Sequence, residues 1–211
     1  MIKDLFTVVL TVWRREHLLP YALQSLLWQT HPDLEVLIYC DGPSPVARKI
    51  VQGFENQPKF REHLRYVEVL PRAGFFGNHL RELGSREAQG EFITFLSHDS
   101  FFHPDFCKAH AVNLRKQPCI SVVPMEYWKL ATDGTTPIYV GRWPRREPQM
   151  AVLGEIDAHN LAYPTDFLQT HVQFEEILPK HFADFCIFDQ LRGLLPVVFD
   201  AEEHRTLSVH F

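Results

Sequence analysis

The sequence has no long apolar run. No segment holds about 18 uninterrupted apolar residues, so no membrane-crossing helix is expected. Its start, Met1-Ile2-Lys3-Asp4-Leu5-Phe6, lacks the apolar stretch and small-residue cleavage site of a secretory leader. Cysteine is scarce. The four present, Cys40, Cys107, Cys119 and Cys186, stand far apart without CxxC spacing, which excludes a disulfide scaffold and reads as reduced thiols of a cytoplasmic protein. Peripheral contact with a membrane stays open. Positive charge is not in excess: the net charge is -5 and the pI about 6.2, whereas a general nucleic-acid binder is basic, so no nucleic-acid partner is expected. No GxGxxG follows the first apolar run and no GxxxxGK[ST] occurs, which argues against dinucleotide-fingerprint and P-loop enzymes. Internal repeats and low-complexity tracts are missing too.

What is present suits a globular chain. The 211 residues are 45% hydrophobic and 22% charged, enough for one domain with a core that needs neither disulfide nor structural metal. The 17 phenylalanines read as core before they read as an apolar acceptor groove.

Apolar periodicity then orders the chain. Phe6 to Val12 is a β-branched run expected as a buried strand. Leu18, Leu19, Ala22, Leu23, Leu26 and Leu27 recur at helical spacing. Glu35 to Cys40 predicts a second strand, Val46 to Phe54 a helix, Leu64 to Leu70 a third strand and Asn78 to Gln89 a helix. Phe92 to Leu96 predicts the fourth strand, Pro104-Asp105 a helix start, and Ile120 to Met125 a fifth strand. Strand and helix alternate, which predicts an α/β fold with a mostly parallel sheet flanked by helices. After Met125 the rhythm changes. Thr132 to Thr135 reads as a turn, 142–148 as a loop, Ala151 to Ile156 as a strand, Pro164 to Val172 and Asp184 to Leu191 as helices, and Val197 to Phe199 as a last strand.

Ligands of such sheets bind beyond the carboxyl ends of the strands. Thr11 and Trp13 follow the first strand, Asp41 the second, and Ser97, His98 and Asp99 the fourth. A nucleotide base could stack on Trp13 and give a ring N–H to Asp41. Asp99 offers a hard oxygen to Mg²⁺ or Mn²⁺, ions that bridge a carboxylate or two to phosphates. Singly, Asp41 and Asp99 read as turn residues. Three polar strand ends on one sheet edge favour a ligand site. Asp157 and His159 follow an apolar strand candidate and border an acceptor side. Arg142, Arg145 and Arg146 read as a solvated loop before they read as a diphosphate clamp.

Thr7 to Trp13, Ala22-Leu23-Gln24-Ser25-Leu26-Leu27-Trp28-Gln29-Thr30, and Leu37 to Gly42 together resemble the opening of family 2 glycosyltransferases of the GT-A fold. Ala88-Gln89-Gly90-Glu91-Phe92-Ile93 through Ser97-His98-Asp99 resembles that family's segment before its DxD-type metal motif. The resemblance covers residues 5–125 well and the rest weakly. It departs at Cys40, where the family has Asp, at Trp13 for Tyr, and at Ser97 for the first Asp of the metal motif.

The resemblance implies a Rossmann-like GT-A fold. One domain, 1–211, would hold a nucleotide-sugar-binding half (1–125) and a smaller acceptor and catalytic-base half (126–211). It implies metal-dependent inverting transfer of a sugar, from a UDP-sugar in the first instance, to a hydroxyl of a glycan or small-molecule acceptor. Asp99 would ligate the metal, with Ser97 and His98 near the ribose and pyrophosphate. In Ala183-Asp184-Phe185 through Arg192 it implies Asp184 as general base; on local pattern alone that residue is a helix cap. Asp189 lies on another face and reads as solvated. In some family members a C-terminal His completes the metal shell, a role open to His204 or His210. Two other classes stay in view. One is a nucleotidyltransferase on a similar sheet; the other is a non-catalytic nucleotide-sugar-binding module.

Overall fold

A computed structural model describes residues 1–60, 63–74, 77–132, 136–143, 156–174, 183–199 and 208–210. Strand β1 (Ile2–Val12) is buried from Leu5 to Val12, as its unbroken apolar run requires. It continues back to Ile2 past Asp4, where φ is 62° and the pairing register with β4 shifts. Periodicity alone starts this strand at Phe6, because Lys3 and Asp4 carry no strand pattern.

Helix α1 (Leu19–Leu27) buries Leu19, Ala22, Leu23 and Leu26, the predicted stripe. Strand β2 (Leu34–Asp41) is fully buried. Helix α2 (Pro45–Gln52) starts on Ser44, whose hydroxyl accepts from the Ala47 amide, with Pro at the first turn. Strand β3 (Leu64–Val69), helix α3 (Asn78–Glu87), β4 (Gly90–Ser97), the short β5 (Ser100–Phe102) and helix α4 (Phe106–Lys116) come next.

The predicted fifth strand is two strands. β6 (Ile120–Val122) and β7 (Met125–Leu130) belong to different sheets and are separated at Val123-Pro124. Pro has no N–H for a ladder, so the run breaks there. The second half continues with β8 (Pro137–Trp143), β9 (Leu161–Pro164), α5 (Thr165–His171), α6 (Ala183–Arg192), β10 (Val197–Phe199) and β11 (Ser208–His210). The expected strand at Ala151 to Ile156 falls mostly outside the described residues; Ile156 itself is not in a strand. Most of the expected 132–135 turn and of the 142–148 loop lies outside them as well.

The seven-stranded sheet has the order β10-β6-β9-β4-β1-β2-β3. β1 pairs in parallel with β2 and β4, β2 with β3, and β10 with β6; β9 alone runs antiparallel, between β4 and β6. The α/β, mostly parallel expectation is therefore met, with one strand inserted from the second half. Helices α1, α2 and α4 pack on one face with Phe6, Val8, Leu10 and Val12. Helices α3, α5 and α6 pack on the other with Val9, Ile93 and Phe95. Many phenylalanines are core: Phe6, Phe60, Phe95, Phe102, Phe106 and Phe188 are all fully buried. A second sheet, β5-β11-β7-β8, sits beyond the end of β4.

Candidate active site

The register of the parallel strands brings their polar ends to one level. Thr11 pairs with Ser97 across β1 and β4, and Val12 with Cys40 across β1 and β2, so Asp41 projects one residue further. A cleft of about 740 Å³ opens there. It is lined by Thr11, Trp13, Asp41, Ser97, His98, Asp99, Asp157, His159 and Asp184, every described side chain that the sequence pattern or the family resemblance assigns to the site. His204 lies outside the described residues. Only the backbone of His210 is described, and it pairs with Ser100, the residue after Asp99. Arg142 is part of β8, and Arg145 and Arg146 lie outside the described residues. Asp189 pairs with Arg192 at 2.5 Å on α6, half exposed, as a solvated structural pair.

Trp13 is 43% exposed, an accessible platform at the mouth. The guanidinium of Arg14 lies 4.4 Å from its ring centre and that of Arg72 5.4 Å. Asp41 is buried and already engaged. Its Oδ1 accepts from the Ala73 amide at 2.6 Å and its Oδ2 from the Gly74 amide at 3.2 Å, with Arg72 Nη2 at 3.6 Å. The carboxylate thus holds the 72–74 segment against β2.

At the end of β4 the Thr11 carbonyl accepts from the His98 amide at 3.0 Å and from His98 Nδ1–H at 3.3 Å. That bond leaves the lone pair on Nε2, a buried atom with no hydrogen-bond partner among the described residues. Burial pushes the His98 imidazole below its ordinary pKa, against the pull of Asp99. The Asp99 side chain is 7% exposed and forms an ion pair with Arg15.

Asp157 caps a 3-10 turn (Ala158–Asn160) by accepting from the His159 amide at 2.9 Å, and it also accepts from His159 Nδ1–H. His159 Nε2 then accepts from the Ser97 amide at 3.1 Å. Burial opposes an imidazolium at His159, yet Asp157 outweighs it and the pKa moves up. The Ser97 bond nonetheless needs the neutral ring, with its proton on Nδ1. The pair therefore braces the strand end that carries Asp99 as well as bordering the cleft.

Asp184 stands in the first turn of α6, its Oδ1 3.4 Å from Arg81 Nη1 on α3. Arg81 is buried and also donates to Asn78 at 3.1 Å. Sequence pattern alone does not single out Arg72 or Arg81, and it includes Arg14 and Arg15 only within the stretch Thr11 to Arg15 past the first strand. Arg14-Arg15, directly after Trp13, is the one legible signal; Arg72 and Arg81 reach the site from a loop and a helix with no strand-end marker.

Carboxylates on strand ends, an aromatic platform, clustered arginines and a further carboxylate from a distant helix have the chemistry to take a phosphorylated ligand and to accept a proton. The sequence matches the model of Glycosyl transferase family 2 over residues 7–152. This chain belongs to that family. Among curated proteins the family 2 chain is 24% identical to glycosyltransferase GlyA of Streptococcus pneumoniae over 106 residues, half of this chain but 14% of GlyA. Among solved structures it is similar to S. aureus TarS in complex with UDP (TM-score 0.73, 16% identity, 97% of this chain, 59% of that chain). It is also similar to mannosyltransferase PcManGT from Pyrobaculum calidifontis in complex with GDP-Man and Mn²⁺ (TM-score 0.66, 15% identity, 97% and 56%). The fold is thus the GT-A fold expected of the family. The chain spans well under two thirds of each of these relatives.

Among the described residues no three His, Cys, Asp or Glu side chains converge as a metal site. One carboxylate, Asp99, still fits a Mg²⁺ or Mn²⁺ ion, because such ions take most of their ligands from phosphate oxygens and water. No described helix is long and apolar enough to cross a membrane.

Proposed function

We propose that this chain binds a nucleotide-sugar in the cleft and transfers its sugar, with inversion, to a hydroxyl of a glycan or small-molecule acceptor. The observation that carries this is the meeting of Trp13, Asp41 and Asp99 with Asp184 around one cleft. The first three come from the strand ends of residues 1–125 and the last from a helix of residues 126–211, which together would form one catalytic domain. Family membership supports the chemistry. The UDP, UDP-GlcNAc and GDP-Man complexes of similar folds support a nucleotide-sugar donor. A UDP-sugar is the favoured donor, since Asp41 Oδ2 can accept a base N–H beside the Arg72 donor. Four free cysteines support a reducing, cytoplasmic setting.

Trp13 would stack the base while Asp41 holds its edge. Asp99 would hold a divalent metal; when bound, it offsets negative charge on the nucleoside diphosphate leaving group. Asp184, oriented by Arg81, takes the proton of the acceptor hydroxyl as that oxygen attacks the anomeric carbon. The bond to the diphosphate breaks through an oxocarbenium-like transition state, and no covalent enzyme intermediate is needed.

A thermal-shift screen of UDP-, GDP- and dTDP-sugars, each with and without Mn²⁺, identifies the donor. Asp184→Asn is then expected to lower transfer at least about a hundredfold while donor binding is retained. Unchanged turnover in that variant rules out the assigned base. Donor binding without hydrolysis or transfer to any acceptor, in the unaltered chain, points instead to a binding module.

A further inference from the structure

Two consecutive arginines leave the end of β1 in the left-handed region, with φ of 55° at Arg14 and 41° at Arg15. Residues bearing a Cβ avoid that region unless the surroundings hold them there. The kink sends the two side chains to different targets. Arg14 lies over Trp13, and Arg15 forms the ion pair with Asp99. Beyond them Glu16 accepts from the Ser44 hydroxyl at 3.1 Å, which ties the turn to the start of α2. The Asp99 side chain is 7% exposed and that of Arg15 52%. The carboxylate is fixed in the wall, and the arginine is the partner free to leave.

We propose that Arg15 is a built-in countercation of Asp99, which a divalent ion has to displace and which passes to the diphosphate as the donor binds. This rests on the reading of Asp99 as metal ligand. A guanidinium and a divalent ion compete for the same carboxylate oxygens. With Ser97 where the family pattern has a second acid, no neighbouring carboxylate of that motif is left to hold the ion while Arg15 stays. A diphosphate carries more charge than one carboxylate and offers paired oxygens to the guanidinium fork, so it draws Arg15 away. Nucleotide and metal then raise each other's affinity by the same factor, and metal alone binds poorly. Arg15 is in this sense a positioning residue that sets the order of assembly, keeping the ion out until a diphosphate is in place.

The test is Mn²⁺ binding, read from the loss of the free-ion electron paramagnetic resonance signal. It compares the unaltered chain, Arg15→Gln and Asp99→Asn, each shown to be folded by thermal melt, with and without saturating UDP. Without UDP, Arg15→Gln is expected to bind Mn²⁺ roughly twofold to fivefold tighter than the unaltered chain, a gain set by the strength of a half-exposed ion pair. The double variant with Asp99→Asn should lose that gain. In metal-free buffer Arg15→Gln should also bind UDP more weakly. Equal Mn²⁺ affinity of Arg15→Gln and the unaltered chain without UDP overturns the countercation role, even when UDP-dependent Mn²⁺ binding upholds the metal reading. Absence of Mn²⁺ binding in every sample, UDP included, removes the metal reading and this inference with it.

Discussion

At the scale of single residues, the site is a set of carboxylates whose partners come from far along the chain. Asp41 therefore has two possible duties. Its place at a strand end makes it an acceptor for a base N–H, and in the structure it also satisfies the amides of Ala73 and Gly74. The two roles separate by substitution. Asp41→Ala leaves both amides without that acceptor and should cost about 1–3 kcal/mol of stability, seen as a lower melting temperature. Asp41→Asn keeps one carbonyl acceptor, so its stability loss should be smaller while UDP affinity still falls. If Asp41→Asn binds UDP as the unaltered chain does, the carboxylate serves the loop alone. Asp41 and Asp99 are legible in the sequence as polar strand ends, whereas Asp184 stands out only through the family resemblance, its local pattern being that of a helix cap. That Arg72, Arg15 and Arg81 face them is not legible, because a contact between positions 84 residues apart, as for Arg15 and Asp99, leaves no local trace.

At the scale of elements, long apolar runs and helical stripes are legible: β1, β2, β4, α1 and α6 lie where periodicity puts them, within a few residues. Two of the misses share a cause. β5 and β9 are three and four residues long, too short to show a period, and β9 gains its place by pairing with β4 and β6. Two glycines add an element-level constraint that only packing explains. A Cβ on Gly84 of α3 would lie 2.3 Å from Val9 Cγ1 of β1, and one on Gly90 would lie 2.6 Å from the Leu5 carbonyl oxygen and 2.9 Å from the Thr7 amide nitrogen. Val9 is fully buried. Alanine at position 84 gains about 1 kcal/mol of helix propensity. Overpacking of about 1–3 kcal/mol should exceed that gain, so Gly84→Ala is expected to lower stability. Gly90→Ala should be worse, because backbone atoms cannot step aside. Gly193→Ala meets nothing within 4 Å and serves as the control with little change. Denaturant melts of the three variants check the order; a Gly84→Ala variant as stable as the control would mean that α3 shifts off β1 without penalty.

At the scale of the whole molecule, the fold closes one cleft from segments as distant as 11–15, 41, 97–99, 157–159 and 184, and it buries several histidines in doing so. Burial makes stability depend on acid. His110 of α4 is fully buried against Phe6 and Phe106, and the lack of solvent pushes its pKa down to about 3. His31 is also lowered, chiefly by burial. In the unfolded chain each titrates near 6.5. Between those values the unfolded state binds more protons, so the stability that neutral His110 confers is complete above pH 6.5. It declines as pH falls towards 3, by up to about 1.4 kcal/mol per pH unit for a single histidine. His159 is pulled both ways: against burial, Asp157 raises its pKa and favours the protonated ring at low pH, while protonation would cost the ring its bond from the Ser97 amide. A melt of the unaltered chain alone would mix the two. His110→Phe isolates one, since it keeps a ring against Phe6 and Phe106 and leaves Ser121 its bond from Asn113 at 3.2 Å. The stability of this variant relative to the unaltered chain should therefore rise steadily as pH is lowered from 7 to 5. Parallel curves over that range would show that acid unfolds the chain through other groups.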